Sequence, residues 1–189
     1  MSDNLRAYTR ALYGLDHVVR LAPADGWGRM SPCEGWTAGH VLGHVIAIQR
    51  YFESIITGAP VTTDPFAADT SVFAGEDPAQ AWSDTREALL EVLDHDGVLH
   101  CEVEAFGRPN TVDGMIGFNV GDLTIHSWDL ARTFGVDERL EPMNVARVLA
   151  TLEPMGDAMR RPGIFGSRVE VADDADPQAR LLAFTGRRP

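Results

Sequence analysis

The amino-acid sequence predicts an all-α protein: a four-helix bundle with an extra C-terminal helix or tail and a short extended or hairpin excursion. Apolar residues recur at steps of three and four in several long segments, which is the spacing of one helix face. Helix-capping and helix-stopping residues flank these segments. A single patch alternates with the period of a strand. The 189 residues, 44% of them hydrophobic, are enough for a sizeable core.

Two helices are predicted in the first part of the chain. The first extends from Asp3, a candidate N-cap, to Ala22, and Pro23 stops it. The second follows Thr37, which is a suitable N-cap, and ends at Gly58. Both segments carry an apolar stripe at helical spacing, so each is expected to bury one face.

The middle of the chain contains a loop, a helix and the strand-like patch. Val61 to Glu76 has no periodicity, and a connection of this length is often functional, so it could cover a site. The third helix begins at the N-cap Asp77 and extends to about Asp94. From Val98 to Val112 we expect a short extended or hairpin excursion and no larger sheet, in which Gly107–Asn110 could form a turn.

Three further helices are predicted in the last part of the chain. The fourth extends from about Asp113 to its C-terminal signal Gly135. Pro142 opens a fifth helix, which Pro154 should kink or split. Asp176, followed by proline, begins a last short helix that should bury its apolar residues.

Composition limits the architecture and the partners. We expect one domain over residues 1–189, in which residues 160–189 form a tail packed on the bundle. The net charge of −12 would repel phosphate backbones and anionic lipid, so we expect neither nucleic acid nor membrane as a partner. We find no apolar run near the ~20 residues of a membrane span and expect no signal peptide. Two cysteines suit reduced thiols in the cytoplasm.

A polar stripe on the fourth helix contains the strongest chemical signal. Asn119, Asp122, His126, Asp129 and Thr133 follow one another at steps of three and four, beside the apolar stripe. Side chains at i and i+4 lie one turn apart, so Asp122 and His126 can reach one metal ion. The same pair also fits a surface ion pair or a satisfied hydrogen bond.

A metal site needs a third ligand from another segment, and the best candidate is His44 in the second helix. His40, one turn earlier, lies further from the apolar centre and is interpreted as a decoy, a supporting residue or a substrate contact. Cys33 could be reactive, but a small packed side chain is favoured. Trp36 and Trp128 are interpreted as core aromatics in preference to substrate platforms.

Several common catalytic motifs are absent from the sequence. It has no Gly-rich phosphate loop, no Gly-x-Ser-x-Gly elbow and no paired-cysteine zinc motif. His40 and His44 have the spacing of a zinc-protease helix, but Val41 replaces the glutamate that would act as base. A protease is therefore disfavoured.

Two motifs in order resemble a known family. The first motif is Ser-Pro-Cys-Glu-Gly-Trp-Thr at 31–37, followed by Leu-Gly-His at 42–44. The second motif is Gly-Asp-Leu-Thr-Ile-His-Ser-Trp-Asp-Leu-Ala-Arg at 121–132. Together they resemble the DinB-like metal-binding superfamily, and more closely its branch related to mycothiol-dependent maleylpyruvate isomerase. The ending at 171–187 resembles an uncharacterised metal-binding subfamily of that group, so the resemblance covers nearly the whole chain.

The resemblance implies a DinB-like four-helix bundle of unusual connectivity with a divalent metal between helices. Zinc is the first expectation, with nickel or iron as alternatives, and the ligands would be His44, Asp122 and His126. The isomerase branch carries glutamate where this sequence has Asp122, so the shorter side chain should bring the ion closer to the helix or leave room for a water. The isomerase also has an additional C-terminal domain where this sequence has a short tail, so maleylpyruvate is not implied as substrate. Members of the superfamily are often dimers, so the resemblance also implies a homodimer as a candidate oligomeric state.

The leading functional hypothesis is a metal-dependent enzyme that joins a low-molecular-weight thiol, such as mycothiol, to an electrophilic substrate, as a transferase or isomerase. Three protein ligands would leave an open position on the metal. Asn119, Asp129 and Arg132 are candidate cofactor-binding residues: Asp129 would orient a ligand or accept a hydrogen bond from Arg132, and Asn119 would touch a ligand or make an internal hydrogen bond. The alternatives are a non-catalytic metal or small-molecule binding protein and an Fe(II) enzyme with two histidines and one carboxylate.

Overall fold

Helices dominate the structure, a computed structural model that describes residues 1–159 and 165–189. The helices and strands are α1 Asp3–Arg20, α2 Ala38–Thr57, α3 Pro78–Leu93, β1 Glu102–Ala105, β2 Arg108–Thr111, α4 Val112–Phe134, α5 Pro142–Leu152 and α6 Pro177–Phe184. The predicted all-α class is confirmed, and β1 and β2 form a two-stranded sheet within it. Among the described helices, none is both long enough and apolar enough to cross a bilayer.

The first compact unit, residues 1–138, contains the four-helix bundle. α1 packs against α4 and α3, and α2 packs against α3 and α4. Although α1 and α2 are consecutive in the chain, they therefore occupy opposite corners of the bundle. The same connectivity makes neighbours of α2 and α4, which are far apart in sequence.

The bundle core is built from the apolar faces of all four helices. Fully buried side chains include Leu12 and Leu15 of α1, Val41 and Ile46 of α2, Trp82 and Leu89 of α3, and Ile116 and Leu123 of α4. Removing this surface from water is the main favourable contribution to folding. Every residue from Leu123 to Ala131 is buried, so this part of α4 lies inside the unit with its polar side chains also enclosed.

Capping side chains begin the helices close to the predicted positions. Thr37 and Asp77 cap α2 and α3, each accepting a hydrogen bond from the backbone N–H three residues later. At α1 the cap is Ser2, which accepts from the Leu5 N–H, so the prediction of Asp3 as the N-cap is wrong by one residue. Serine and aspartate cap equally well, and their order in the sequence does not decide between them.

The strand-like patch forms an antiparallel hairpin, but its turn differs from the predicted one. The turn residues are Phe106 and Gly107, with φ of 51° and 71°, and not Gly107–Asn110. Positive φ at both central residues suits a two-residue hairpin loop, where asparagine and glycine are the usual occupants. Phenylalanine at the first turn position is not a turn signal, and Pro109 and Asn110 lie inside β2 instead.

Residues 139–189 form a second compact unit, in which α5 packs against α6. α5 ends at Leu152 and a 3-10 segment, Glu153–Met159, follows, so the interruption predicted at Pro154 is present. α6 follows the N-cap Asp176 and buries the apolar residues predicted for it, Leu181, Leu182 and Phe184. A single domain with residues 160–189 packed on the bundle stays a prediction, and residues 160–164 lie outside the described chain.

Candidate metal centre

Two of the predicted ligands lie on one face of α4. Asp122 and His126 are four residues apart, so the helix places their side chains one turn from each other. Asp122 Oδ1 lies 3.4 Å from His126 Nε2. The helix that carries them begins at the N-cap Thr111 and ends at Gly135, whose left-handed conformation closes the last turn.

The third predicted ligand reaches the same point from α2. His44 Nε2 lies 3.4 Å from Asp122 Oδ1, and the ring centroids of His44 and His126 are 5.3 Å apart. The three ligand atoms all lie within 4.8 Å of one another. Both histidines are more than nine-tenths buried. The packing of α2 on α4 thus brings together the three side chains that were predicted from the sequence as metal ligands.

Hydrogen bonds hold the outer nitrogen of each histidine. His44 Nδ1 lies 2.7 Å from the Pro65 carbonyl oxygen, and His126 Nδ1 lies 2.9 Å from Asp129 Oδ2. A carbonyl or carboxylate oxygen accepts only, so each Nδ1 must donate. The neutral form of either ring therefore has an unprotonated Nε2 directed at Asp122. Outer partners of this kind orient histidine ligands in metal sites.

The charges of the cluster are strongly coupled. Burial alone would raise the pKa of the Asp122 carboxyl, but the charge of His126 and hydrogen bonds from His126 and His44 outweigh it and lower that pKa. Burial alone would lower the pKa of the His126 imidazole, but the Asp122 charge and hydrogen bonds with Asp122, Asp129 and Cys33 raise it well above its ordinary value. Positive charge is favoured at this place.

The other carboxylate oxygen of Asp122 shows how well the cluster fits a cation. Asp122 Oδ2 is buried and has no hydrogen-bond partner among the described residues. A buried acceptor without a partner is costly, and a cation at the cluster would satisfy it. Two imidazole nitrogens and a carboxylate are also the ligand set of many zinc and non-haem iron sites. The residues present therefore fit a divalent metal.

Aromatic rings border the cluster. The Trp36 ring lies 5.2 Å from that of His44 and 6.5 Å from that of His126, and Phe66 lies 6.1 Å from His44. Trp128 is a core aromatic as predicted, 1% exposed. Trp36 differs from the prediction, because it is only half-buried and its ring faces both histidines.

Cys33 and Asp129 support the centre from behind His126. Asp129 is fully buried, and its Oδ2 accepts hydrogen bonds from His126 Nδ1 and from Cys33 Sγ, which lies 3.2 Å away. Cys33, His126 and Asp129 also form a group close enough to share an ion. The 2.9 Å between His126 Nδ1 and Asp129 Oδ2 is a hydrogen-bond distance, so we interpret this group as a chain that positions His126.

The remaining candidate residues have other partners. Arg132 pairs with Glu138 at 2.6 Å and lies 4.6 Å above the Trp128 ring, in place of the hydrogen bond to Asp129 considered above. Asn119 makes the internal hydrogen bond that was one of its two interpretations, because its Oδ1 accepts from Gln49 Nε2 at 3.0 Å. His40 lies outside the cluster, with its Nδ1 2.7 Å from Thr37 Oγ1 at the start of α2.

Sequence reasoning missed two contributions from the loop between α2 and α3. Pro65 supplies a backbone oxygen to His44, and Phe66 supplies a ring beside it. A backbone carbonyl has no sequence signature, and a phenylalanine in a polar loop indicates only that something apolar lies near. The prediction that Val61 to Glu76 could cover a site agrees with these contacts.

The bundle and its cluster define a class: helical proteins with a group of potential metal ligands held between two helices that are distant in sequence. The comparisons with known families agree. The chain belongs to the family of the mycothiol maleylpyruvate isomerase N-terminal domain, whose model matches residues 8–131. That match includes all three members of the cluster, His44, Asp122 and His126.

Similar proteins include two from Mycobacterium tuberculosis, one from strain CDC 1551 and one from a second strain, both called uncharacterized proteins. Each is 28% identical over 140 residues, which is 65% of this chain and 52% of the relative. The chain thus spans about half the length of the curated relatives it matches. No solved structure matches the chain significantly.

Proposed function

We propose that this protein is a divalent-metal-dependent enzyme that uses a low-molecular-weight thiol, such as mycothiol, against an electrophilic substrate, as a thiol transferase or isomerase. The observation that supports it is the convergence of His44 Nε2, Asp122 Oδ1 and His126 Nε2, beside an Asp122 Oδ2 that lacks a partner. These three side chains would hold the metal. The family, whose description names mycothiol, supports the thiol.

Zinc is the proposed metal, with nickel and iron as alternatives, because imidazole and carboxylate ligands suit all three. With three protein ligands, a divalent cation would keep a position for a thiol or a water and lower the pKa of that group. The cytoplasm is the proposed location, since Cys33 and Cys101 form no disulfide and a reducing compartment keeps thiols available.

The protein's own groups would prepare the site for this chemistry. Asp129 and the Pro65 carbonyl fix the two imidazole rings, so that both Nε2 lone pairs point to one place. Trp36 and Phe66 place apolar surface next to His44, and both histidines are more than nine-tenths buried, which would strengthen electrostatic interactions inside the site. Partners would be the small thiol and the substrate, and a homodimer is one proposed assembly.

The test is metal content followed by thiol chemistry. Protein purified without chelators should contain about one divalent metal per chain, and His126→Ala should lose it. His40→Ala is the matched control, since it removes a histidine from α2 outside the cluster and should keep the metal. The metal-loaded protein should then accelerate the addition of mycothiol to a generic electrophile, and the His126→Ala protein should not.

The same measurements would distinguish two alternative functions. Iron as the bound metal, with oxygen-dependent turnover, would favour the Fe(II) enzyme, which uses the same two histidines and one carboxylate. Metal binding without any thiol binding or turnover would favour a non-catalytic binding protein. Full metal occupancy in His126→Ala would contradict the proposed centre.

A further inference from the structure

We propose that the ligand of the metal centre joins a metal-binding head to an apolar, ring-bearing body, and that Phe66 and Phe106 form the platform on which this body rests. This inference rests on the proposed function and names the chemical class of its substrate. We call these two rings, together with the Tyr51 ring that stacks on Phe106, the aromatic platform.

The first observation is that the side chains of Phe66 and Phe106 are exposed to solvent. Phe66 is 64% exposed and Phe106 is 50% exposed, although large apolar side chains generally avoid water. Both are nevertheless in ring contact with each other, at 6.1 Å between centroids. Large apolar side chains that are exposed and lie next to one another are typical of a binding surface.

Continuity with the metal centre is the second observation. The Phe66 ring is 6.1 Å from the ring of the ligand candidate His44 and 6.1 Å from the Phe106 ring, so it links the two. Phe106 in turn stacks on Tyr51 at 4.8 Å with an interplanar angle of 26°. A molecule bound at the centre therefore has an apolar path from His44 outward to the hairpin.

The backbone of Phe106 is the third observation. It is the one described non-glycine residue with positive φ, at 51°, a conformation that a bulky side chain rarely adopts. Tyr51 holds it there, because its hydroxyl oxygen accepts the Phe106 N–H at 2.9 Å while its ring stacks on the phenyl group. Strained residues of this kind cluster at ligand sites. Asparagine would suit the turn better, so turn formation does not account for a phenyl ring at this position, whereas contact with a ligand does.

The experiment compares two metal-binding probes that differ only in the body. Acetohydroxamate carries the head with a methyl group, and benzohydroxamate carries the same head with a phenyl ring. The zinc-loaded protein should bind benzohydroxamate more tightly. Phe66→Ala and Phe106→Asn should each reduce that preference about three- to tenfold, the usual contribution of one aromatic contact. Phe106→Asn, which changes no side chain in contact with the three ligand candidates, should also leave the affinity for acetohydroxamate unchanged.

Controls separate this inference from the proposed function. Phe106→Asn keeps a residue that favours the turn, so the hairpin should still form. Tyr13→Ala removes a 54% exposed aromatic from α1, where it neighbours Arg86 of α3, and should change neither affinity. Equal affinity of the zinc-loaded wild type for both probes, or an unchanged preference in both variants, would overturn the platform while the metal centre stands. Protein that holds no zinc would overturn the proposed function and the platform with it.

Discussion

At the scale of single residues, His126 has the most informative surroundings. Its Nδ1 donates to Asp129 and its Nε2 faces Asp122, so the ring lies between two carboxylates. Without metal, a proton on Nε2 would neutralise the negative charge of Asp122, which explains why the pKa of His126 is raised. A bound metal and this proton would compete for one lone pair, so metal binding at the proposed centre should depend on pH.

The pH dependence of stability should have opposite signs with and without metal. In metal-free protein the raised pKa of His126 means that protonation stabilises the fold fully below pH 6.5, and this contribution is lost as pH rises through the folded-state pKa. Metal affinity should increase over the same interval, because the cation displaces the proton. Thermal unfolding from pH 6.5 upward, with and without zinc, measures both.

His126→Gln provides the comparison for this prediction, because glutamine keeps a polar side chain of similar length that does not titrate. The metal-free variant should lose the decline in stability that the wild type shows above pH 6.5. A wild-type protein whose metal-free stability rises with pH through that interval would contradict the assignment of the proton to His126.

At the scale of elements, the loop between α2 and α3 is fastened along one side of α2. Thr70 Oγ1 donates to the His40 carbonyl, Pro65 accepts from His44, and Thr63 Oγ1 donates to the Ala47 carbonyl. The loop therefore runs antiparallel to α2. Its three partners on the helix, His40, His44 and Ala47, are separated by four and three residues and so lie on one helix face.

Gly43 permits this close approach. A Cβ at this position would lie 1.9 Å from the Thr70 carbonyl oxygen, and that oxygen belongs to backbone that cannot rotate away. We expect Gly43→Ala to destabilise the protein by about 1–3 kcal/mol, a typical cost of overpacking, and to weaken metal binding because the loop also holds His44. Chemical denaturation and metal titration measure the two effects.

Gly14→Ala is the matched control for that substitution. Gly14 lies in α1 with no atom within 4 Å of an added Cβ. Alanine there should stabilise the helix by about 0.5–1 kcal/mol and leave metal affinity unchanged. If Gly43→Ala behaves like Gly14→Ala, the loop does not pack on α2 as described.

At the scale of the whole molecule, the proposed metal centre would tie together helices that lie at neighbouring corners of the bundle. His44 comes from α2, whereas Asp122 and His126 come from α4, so a bound ion would cross-link them. An ion that binds only the folded chain stabilises it in proportion to the logarithm of its free concentration.

Removal of the metal should therefore lower the melting temperature. At a free zinc concentration of about 100 times the dissociation constant, the gain is about 2.7 kcal/mol, or on the order of 5–10 °C for a chain of this size. Differential scanning calorimetry with zinc and after chelation measures it. His126→Ala should show no such difference, and an equal shift in that variant would place the ion elsewhere.

The sequence by itself determined the helices and the identity of the three candidate ligands. Periodicity, the caps Thr37 and Asp77 and the spacing of Asp122 and His126 are local properties, set by backbone geometry within a few residues. Local signals misplaced features that neighbouring residues leave ambiguous: the cap is Ser2 in place of Asp3, α1 ends at Arg20 in place of Ala22, and the hairpin turns at Phe106.

Only the tertiary structure decided what lies around those ligands. The Pro65 carbonyl at His44, the Cys33 thiol at Asp129, the Trp36 ring and the pairing of Arg132 with Glu138 depend on how distant segments pack. Backbone oxygens and ring faces have no sequence pattern of their own. They become functional when folding brings them within hydrogen-bond or van der Waals distance, because both interactions fade within a few ångströms.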